Sequence, residues 1–245
     1  MREYDFSHWK KLPKVSCQCI TYGRPELLNE ALECFLRQDY PGEKELVILN
    51  DQAGVKYTFK HPEVNIVNTK YRYATVGEKR NECVKLCSGS IICPWDDDDI
   101  SLPWRISVII QEMKNCQYFK PKFYYDIRDG RLNPKLGGKP AHAQGGWSRK
   151  LFDQIQGYAP MQSGQDTSFE RKVGKSGLMD VRPLPMRDNY YIRRWRVSVY
   201  HLSAHGVNRG FEEATAAVKK RPTQGTVVLK PGWFQNYEKL ILDRL

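Results

Sequence analysis

Ser90-Ile91-Ile92-Cys93-Pro94-Trp95-Asp96-Asp97-Asp98-Asp99 is a short apolar run, preceded by Gly89, that breaks off in four consecutive carboxylates. A run this short with a turn residue before it reads as a buried strand. In open α/β sheets, ligands bind just beyond the carboxyl ends of strands, and the acidic cluster falls at such an end. Neighbouring carboxylates disfavour joint ionisation, and a hard divalent cation relieves that repulsion while recruiting phosphate oxygens. The plain alternative is a solvated acidic turn, which loops often contain.

The segments before this strand have the same grammar. Val15-Ser16-Cys17-Gln18-Cys19-Ile20 reads as a first strand, Tyr22-Gly23-Arg24 as a turn, and Pro25 takes the first helical position. Leu27, Leu28, Ala31, Leu32, Phe35 and Leu36 recur at spacings of three and four, giving one apolar helix face that Pro41-Gly42 ends. Glu45 to Asp51 is a second strand, also ending on a carboxylate, so strand, helix and strand form a right-handed parallel unit. Val64–Val67 is a third strand, and Val76–Cys87 is a helix that leads into the strand ending at Asp96. Ser101-Leu102-Pro103 is expected to open a further helix with Ile106, Ile109, Ile110 and Met113 on its buried side.

Beyond residue 116 the pattern loosens. Tyr118–Ile127 reads as one strand, Asp129-Gly130 as a hairpin turn, Ser148–Ile155 as a helix closed by Gly157, and a helix begins near Asp166. Tyr190–Arg196 is strand-like and strongly basic, and the tail from Phe211 offers a helix followed by a last segment from Trp233 to Leu245.

The chain has 245 residues, 40% hydrophobic and 12% aromatic, which fits one large α/β domain. No apolar run is long enough to span a bilayer, and Met1–Phe6 leads into no signal-peptide core, so a cytoplasmic location is expected. Seven cysteines, five of them at Cys17, Cys19, Cys83, Cys87 and Cys93 in core elements, suit reduced thiols packed as small apolar residues better than a zinc site. The net charge of +11 excludes little but points to a polyanionic partner, nucleic acid or an anionic membrane.

Thr21-Tyr22-Gly23-Arg24-Pro25, the strand ending at Asp51, Glu78-Lys79-Arg80-Asn81, Asp96–Asp99, Gly157-Tyr158 and Gly164-Gln165-Asp166-Thr167-Ser168-Phe169 occur in one order. In that order they resemble the family 2 glycosyltransferases of GT-A fold. The resemblance implies a Rossmann-like, mostly parallel sheet flanked by helices, in one domain over 1–245. It divides into a nucleotide-sugar half at 13–116, an acceptor and catalytic-base half at 117–210, and a C-terminal helical tail at 211–245.

The resemblance also implies roles. Asp51 would accept from uracil, Thr21, Tyr22 and Arg24 would line base and ribose, and Lys79 and Arg80 would lie near base or phosphates. Asp96 and Asp97 would stand near the nucleotide, and Asp98 would be the most direct ligand of Mn²⁺ or Mg²⁺. His201 or His205 would close the metal site, as a C-terminal histidine does in some GT-A enzymes. Asp166 would be the catalytic base, although a carboxylate that opens a helix is also a good N-cap. The family glutamate before it is Gln165 here, so that helper carboxylate is absent.

These expectations add up to metal-dependent, inverting transfer of a sugar from a UDP-sugar to a hydroxyl. Arg193, Arg194 and Arg196, interleaved with Trp195, have the make-up of a groove that neutralises phosphates and stacks bases, and Trp147 follows a Gly-Gly loop able to stack on an extruded base. The favoured acceptor is therefore a 5-hydroxymethylpyrimidine in phage DNA. A cell-envelope or capsule polysaccharide acceptor and a sugar nucleotidyltransferase remain as alternatives, and a DNA-binding module without catalysis would have no use for the four carboxylates. The basic stretch read plainly is a charged sheet edge.

Overall fold

The computed structural model describes residues 2–128, 131–194 and 223–245. At its centre is a seven-stranded sheet that begins with the parallel unit expected from sequence. β1 (Val15–Thr21), α1 (Pro25–Leu36) and β2 (Lys44–Asn50) form it, with β1 and β2 in parallel register from Val15 opposite Lys44 to Thr21 opposite Asn50. β3 (Val55–Thr58) leaves this sheet, and β4 (Val64–Asn68) returns to pair beside β2. α2 (Val76–Leu86) then crosses to β5 (Ile91–Pro94), parallel to β1 on its other side.

The strand periodicity decides which helices cover which face. Leu46 and Ile48 pack with Leu28, Ala31, Leu32 and Phe35 of α1, whereas Val47 and Leu49 pack with Cys83 and Val84 of α2. Alternate residues of one strand thus serve two cores, as side chains of period two require. α2 starts with a reciprocal cap, Thr75 Oγ1 accepting from Glu78 N–H and Glu78 accepting from Thr75 N–H. Gly77 on this helix is needed for packing, because a Cβ there would lie 1.9 Å from the carbonyl oxygen of Ala159.

Past β5 the chain forms β6 (Ile100–Ser101) and then α3 (Arg105–Glu112), so the helix expected from Ser101 starts later and a strand takes its first residues. β7 (Tyr118–Pro121) and β8 (Tyr125–Arg128) replace the single expected strand. Pro121 has no N–H to continue a ladder, and the two halves join different sheets. β9 (Arg131–Leu132) follows β8, and β10 (Gly146–Ser148) inserts antiparallel between β5 and β7. α4 (Arg149–Gln154) and α5 (Gln165–Lys175) precede β11 (Met179–Arg182), which completes the order β11-β7-β10-β5-β1-β2-β4.

β12 (Tyr191–Arg194) lies between β6 and β8 in a smaller sheet of order β6-β12-β8-β9. The expected helical tail differs as well. β13 (Gly225–Val228) pairs in parallel with β3, more than 160 residues upstream, and α6 (Tyr237–Leu242) follows it. The expected helix from Phe211 and the Asp129-Gly130 turn lie outside the described residues. Cys17, Cys19, Cys34, Cys83, Cys87 and Cys93 are buried free thiols and Cys116 is partly buried, consistent with core packing. Among the described residues no helix is long and apolar enough to cross a membrane.

Candidate active site

The carboxyl ends of β1, β2 and β5 and the N-terminal turns of α2 and α5 surround one cleft of about 530 Å³. Arg105, fully buried, fixes the strand end that feeds it. Its guanidinium donates to the carbonyl oxygens of Pro94 (2.6 Å) and Ala143 (2.5 Å) and to Ser101 Oγ (2.7 Å).

On the β2 side stand Asp51 and Lys79, both buried and ion-paired to one another, with Lys79 Nζ also donating to Thr21 O at 2.6 Å. Burial lowers the Lys79 pKa, and Asp51 opposes that shift. The second Asp51 oxygen accepts from Tyr73 N–H at 3.2 Å. Thr21 and Tyr22 line the same end, and Arg72 stacks over the Tyr22 ring at 4.3 Å.

The acidic loop forms the floor. Thr21 Oγ1 donates to Asp97 at 2.6 Å, and Arg24 bridges Asp97 and Asp98, the latter at 2.7 Å. Arg80 reaches Asp96 at 3.2 Å, while Asp99 accepts from the Tyr191 hydroxyl and, at 2.7 Å, from the Arg194 N–H. Burial pushes the Asp97 pKa up and Arg24 pulls it down, with a net rise. Arginines therefore relieve part of the repulsion that the sequence alone assigns to a cation. The donor set still fits a hard cation: one carboxylate oxygen from each of Asp96, Asp98 and Asp99 lies within 4.8 Å of the others.

Across the cleft is the start of α5. Gly164 precedes it at φ +74°, a left-handed conformation that suits glycine, and Asp166 sits on the first turn rather than at the cap. Its Oδ1 accepts from Thr167 N–H at 2.7 Å.

One turn on, Glu170 also faces the cleft and joins His142, Lys120, Tyr118 and Tyr158 in a buried network. Burial lowers the His142 pKa and keeps the ring neutral. Burial acts the other way on Glu170, but the His142 hydrogen bond and Lys120 outweigh it and bring that carboxyl down to about 2.

Both shifts make acid destabilising. A neutral buried histidine contributes stability above its unfolded pKa near 6.5, lost as pH falls through its folded value. The Glu170 contribution is present above about 4.5 and is lost as pH falls towards 2. The melting temperature is expected to fall stepwise below pH 6.5, and His142→Gln is expected to flatten the upper step. An unchanged profile in that variant would assign the step to another group.

The structure brings Thr21, Tyr22, Arg24, Asp51, Lys79 and Arg80 together with Asp96, Asp97, Asp98, Asp166 and Arg193 around this one cleft. Two expected acceptor residues are elsewhere. Trp147 is fully buried in β10, stacked on Tyr118 at 5.9 Å between ring centroids, and cannot meet an extruded base. Arg194 is drawn inward by an ion pair with Glu30 of α1 and by the Asp98 carbonyl at 2.6 Å. Arg193, beside it, packs on the Tyr124 ring at 4.5 Å and lines the cleft. Trp195, Arg196, His201 and His205 lie outside the described residues.

His142, Glu170, Arg72 and Tyr73 also line the cleft, and the sequence assigns none of them a role. Only Glu170 carried a local signal, four residues after Asp166 on the same helix face.

The sequence pattern described as "Glycosyl transferase family 2" matches residues 16–175. The Escherichia coli (strain K12) protein "Putative colanic acid biosynthesis glycosyl transferase WcaA" is 25% identical over 153 residues, 58% of this chain and 53% of its own. "Uncharacterized glycosyltransferase YwdF" of Bacillus subtilis (strain 168) is 30% identical over 109 residues, 43% of this chain and 40% of its own. The chain thus spans about half the length of the curated relatives it matches.

Among solved structures, S. aureus TarS 1-349 in complex with UDP-GlcNAc superimposes with a TM-score of 0.60 at 17% identity, covering 84% of this chain and 65% of that one. The mannosyltransferase PcManGT from Pyrobaculum calidifontis, in complex with GDP-Man and Mn²⁺, gives 0.57 at 14% identity, covering 78% and 59%. The fold is that of GT-A glycosyltransferases, and the chain belongs to glycosyl transferase family 2.

Proposed function

We propose that this cleft performs single-step inverting transfer of a sugar from a UDP-sugar to a hydroxyl acceptor. The observation that carries the reading is the convergence of Asp51, the Asp96, Asp98 and Asp99 oxygens, and Asp166 on one cleft from three separate chain segments. Asp51 takes the uracil end, and Arg80, beside Asp96, faces the diphosphate. Asp166 accepts the proton of the acceptor hydroxyl. That oxygen forms its bond to the anomeric carbon while the bond to the diphosphate oxygen breaks on the opposite face, and UDP leaves with the electron pair. Asp96, Asp98 and Asp99 would hold a Mn²⁺ or Mg²⁺ ion, which would supply Lewis-acid stabilisation of the departing diphosphate charge.

The acceptor we favour is a saccharide hydroxyl, in keeping with the relative named for colanic acid biosynthesis. Modified DNA is a second reading, supported by the net charge of +11 and by Arg193 at the cleft, but Trp147 and Arg194 no longer contribute to it.

The test is nucleotide release from UDP-glucose, UDP-galactose, UDP-GlcNAc and GDP-mannose, with Mn²⁺ or EDTA, and with either saccharides or hydroxymethylated DNA added. UDP release from one UDP-sugar that needs Mn²⁺ is expected. Pyrophosphate formed from UTP and a sugar 1-phosphate, with no UDP release, would replace this reading by nucleotidyl transfer.

A further inference from the structure

Three donors converge on a single oxygen of Glu170. Lys120 Nζ at 2.6 Å, the Tyr118 hydroxyl at 2.8 Å and His142 Nδ1 at 3.2 Å all meet Oε1. Each of these donors belongs to a buried residue, whereas the Glu170 side chain is 23% exposed and lines the cleft. Among the described residues no hydrogen bond is made to its other oxygen, Oε2, and the side chain lines the cleft.

The tautomer of the network follows from its ends. The ionised Glu170 takes the Nδ1 proton of His142, and Nε2 accepts from the Tyr158 hydroxyl at 2.7 Å, a phenol whose pKa burial raises. Glu170 is thus fixed in position and charge from behind. Its other oxygen is a preorganised acceptor turned to the cleft, one turn and about 6 Å along α5 from Asp166.

We propose that Glu170 is an acceptor-binding residue whose Oε2 takes a hydrogen bond from a hydroxyl of a neutral sugar, while another hydroxyl of the same ring is presented to Asp166. This rests on Asp166 being the base.

The ligand chemistry follows from the charges. A bare carboxylate oxygen accepts from hydroxyls and repels phosphate or uronate groups placed against it. Lys120 is already ion-paired to the carboxylate through Oε1, so a cationic ligand would compete with an existing pair and an uncharged polyol is matched. One free oxygen serves one hydroxyl, and a helical turn is a span that the hydroxyls of a single pyranose ring cover. The residue thereby selects which acceptor hydroxyl meets the base, and so the linkage formed.

The variant to compare is Glu170→Gln. The three donors keep its carbonyl oxygen inward and leave an amide NH₂ toward the cleft, exchanging a charged acceptor for a neutral donor. The acceptor probes are methyl glycosides of glucose, galactose, mannose and N-acetylglucosamine, with UDP release as the readout. UDP affinity by calorimetry and the melting temperature are measured on the same samples.

We expect the half-saturating concentration of the preferred glycoside to rise about tenfold, the difference between a charge-assisted and a neutral hydrogen bond, with UDP affinity unchanged. An unchanged half-saturation, or equal losses in glycoside and UDP affinity, would overturn the proposal while leaving the Asp166 reading intact. Stimulation by hydroxymethylated DNA and by none of the glycosides would overturn the neutral-sugar assignment. No UDP release by the wild-type chain from any UDP-sugar would remove the transferase reading, and this proposal with it.

Discussion

Asp166→Asn is expected to lower sugar transfer by about a hundredfold to ten-thousandfold, the usual contribution of a positioned general base, while UDP affinity stays within about twofold of wild type. The substitution keeps the size of the side chain and an oxygen for the Thr167 N–H, which Asp166 Oδ1 accepts at 2.7 Å, so the first turn of α5 is preserved. What it removes, on the proposed reading, is the oxygen that takes the proton of the acceptor hydroxyl. Asp166 is not an N-cap, since Gly164 holds that position, and the variant should therefore melt close to wild type. Single-turnover transfer with calorimetric UDP binding separates the two effects. Near-normal turnover would place the base elsewhere, and equal losses of binding and turnover would make Asp166 a nucleotide contact.

Glu170 on the same helix is a poor rival for the base. A carboxyl brought down to about 2 by its partners has little affinity for a proton at neutral pH. On the proposed reading the two carboxylates of α5 have separate uses, one to take a proton and one to hold a hydroxyl. Such divergence of environment between neighbouring acids is how acid–base roles are assigned within one site.

The part of the fold from 13 to 116 was legible because its order is local. α1 announces itself by apolar spacing after Pro25, and β1, β2 and β5 by short apolar runs that end in polar residues. The errors fall where a partner far away in sequence decides. β3 was missed because its ladder partner, β13, follows it by more than 160 residues. Arg194 read as surface charge because Glu30, which draws it inward, lies on α1 at the other end of the chain.

Trp147 followed two glycines and read as a loop. Gly146 is instead a packing glycine in a strand, for a Cβ there would meet Ile109 Cγ2 at 2.7 Å. At the cleft, residues at the ends of regular elements were found, because strand ends and helix starts are where ligands collect in this architecture. His142 is left unassigned by the sequence because it stands in a single 3₁₀ turn, His142–Gln144, and its role depends on Glu170 and Tyr158.

The acidic loop shows how the structure changes an argument without changing its destination. Four adjacent carboxylates suggested a cation because nothing nearby in sequence could balance them. Folding brings Arg24 to Asp97 and Asp98, Arg80 to Asp96 and the Arg194 N–H to Asp99, so protein groups balance part of the loop's charge. The case for metal binding then rests on the three converging oxygens, and Asp98→Asn tests it.

Losing one of the three is expected to weaken Mn²⁺-dependent UDP binding by at least tenfold to a hundredfold, the loss typical of removing even an outer-shell partner of a metal site. Arg24 keeps Asp97 as its partner in this variant, so the loop should hold its shape and the melting temperature should change little. For the wild type, UDP affinity should drop when Mn²⁺ is replaced by EDTA. For Asp98→Asn the two affinities should coincide at the lower value. If wild type and variant gain equally from Mn²⁺, Asp98 is a partner for Arg24 alone. If neither responds to Mn²⁺, the arginines are the whole of the loop's charge balance and the diphosphate must be held by Arg80 and its neighbours.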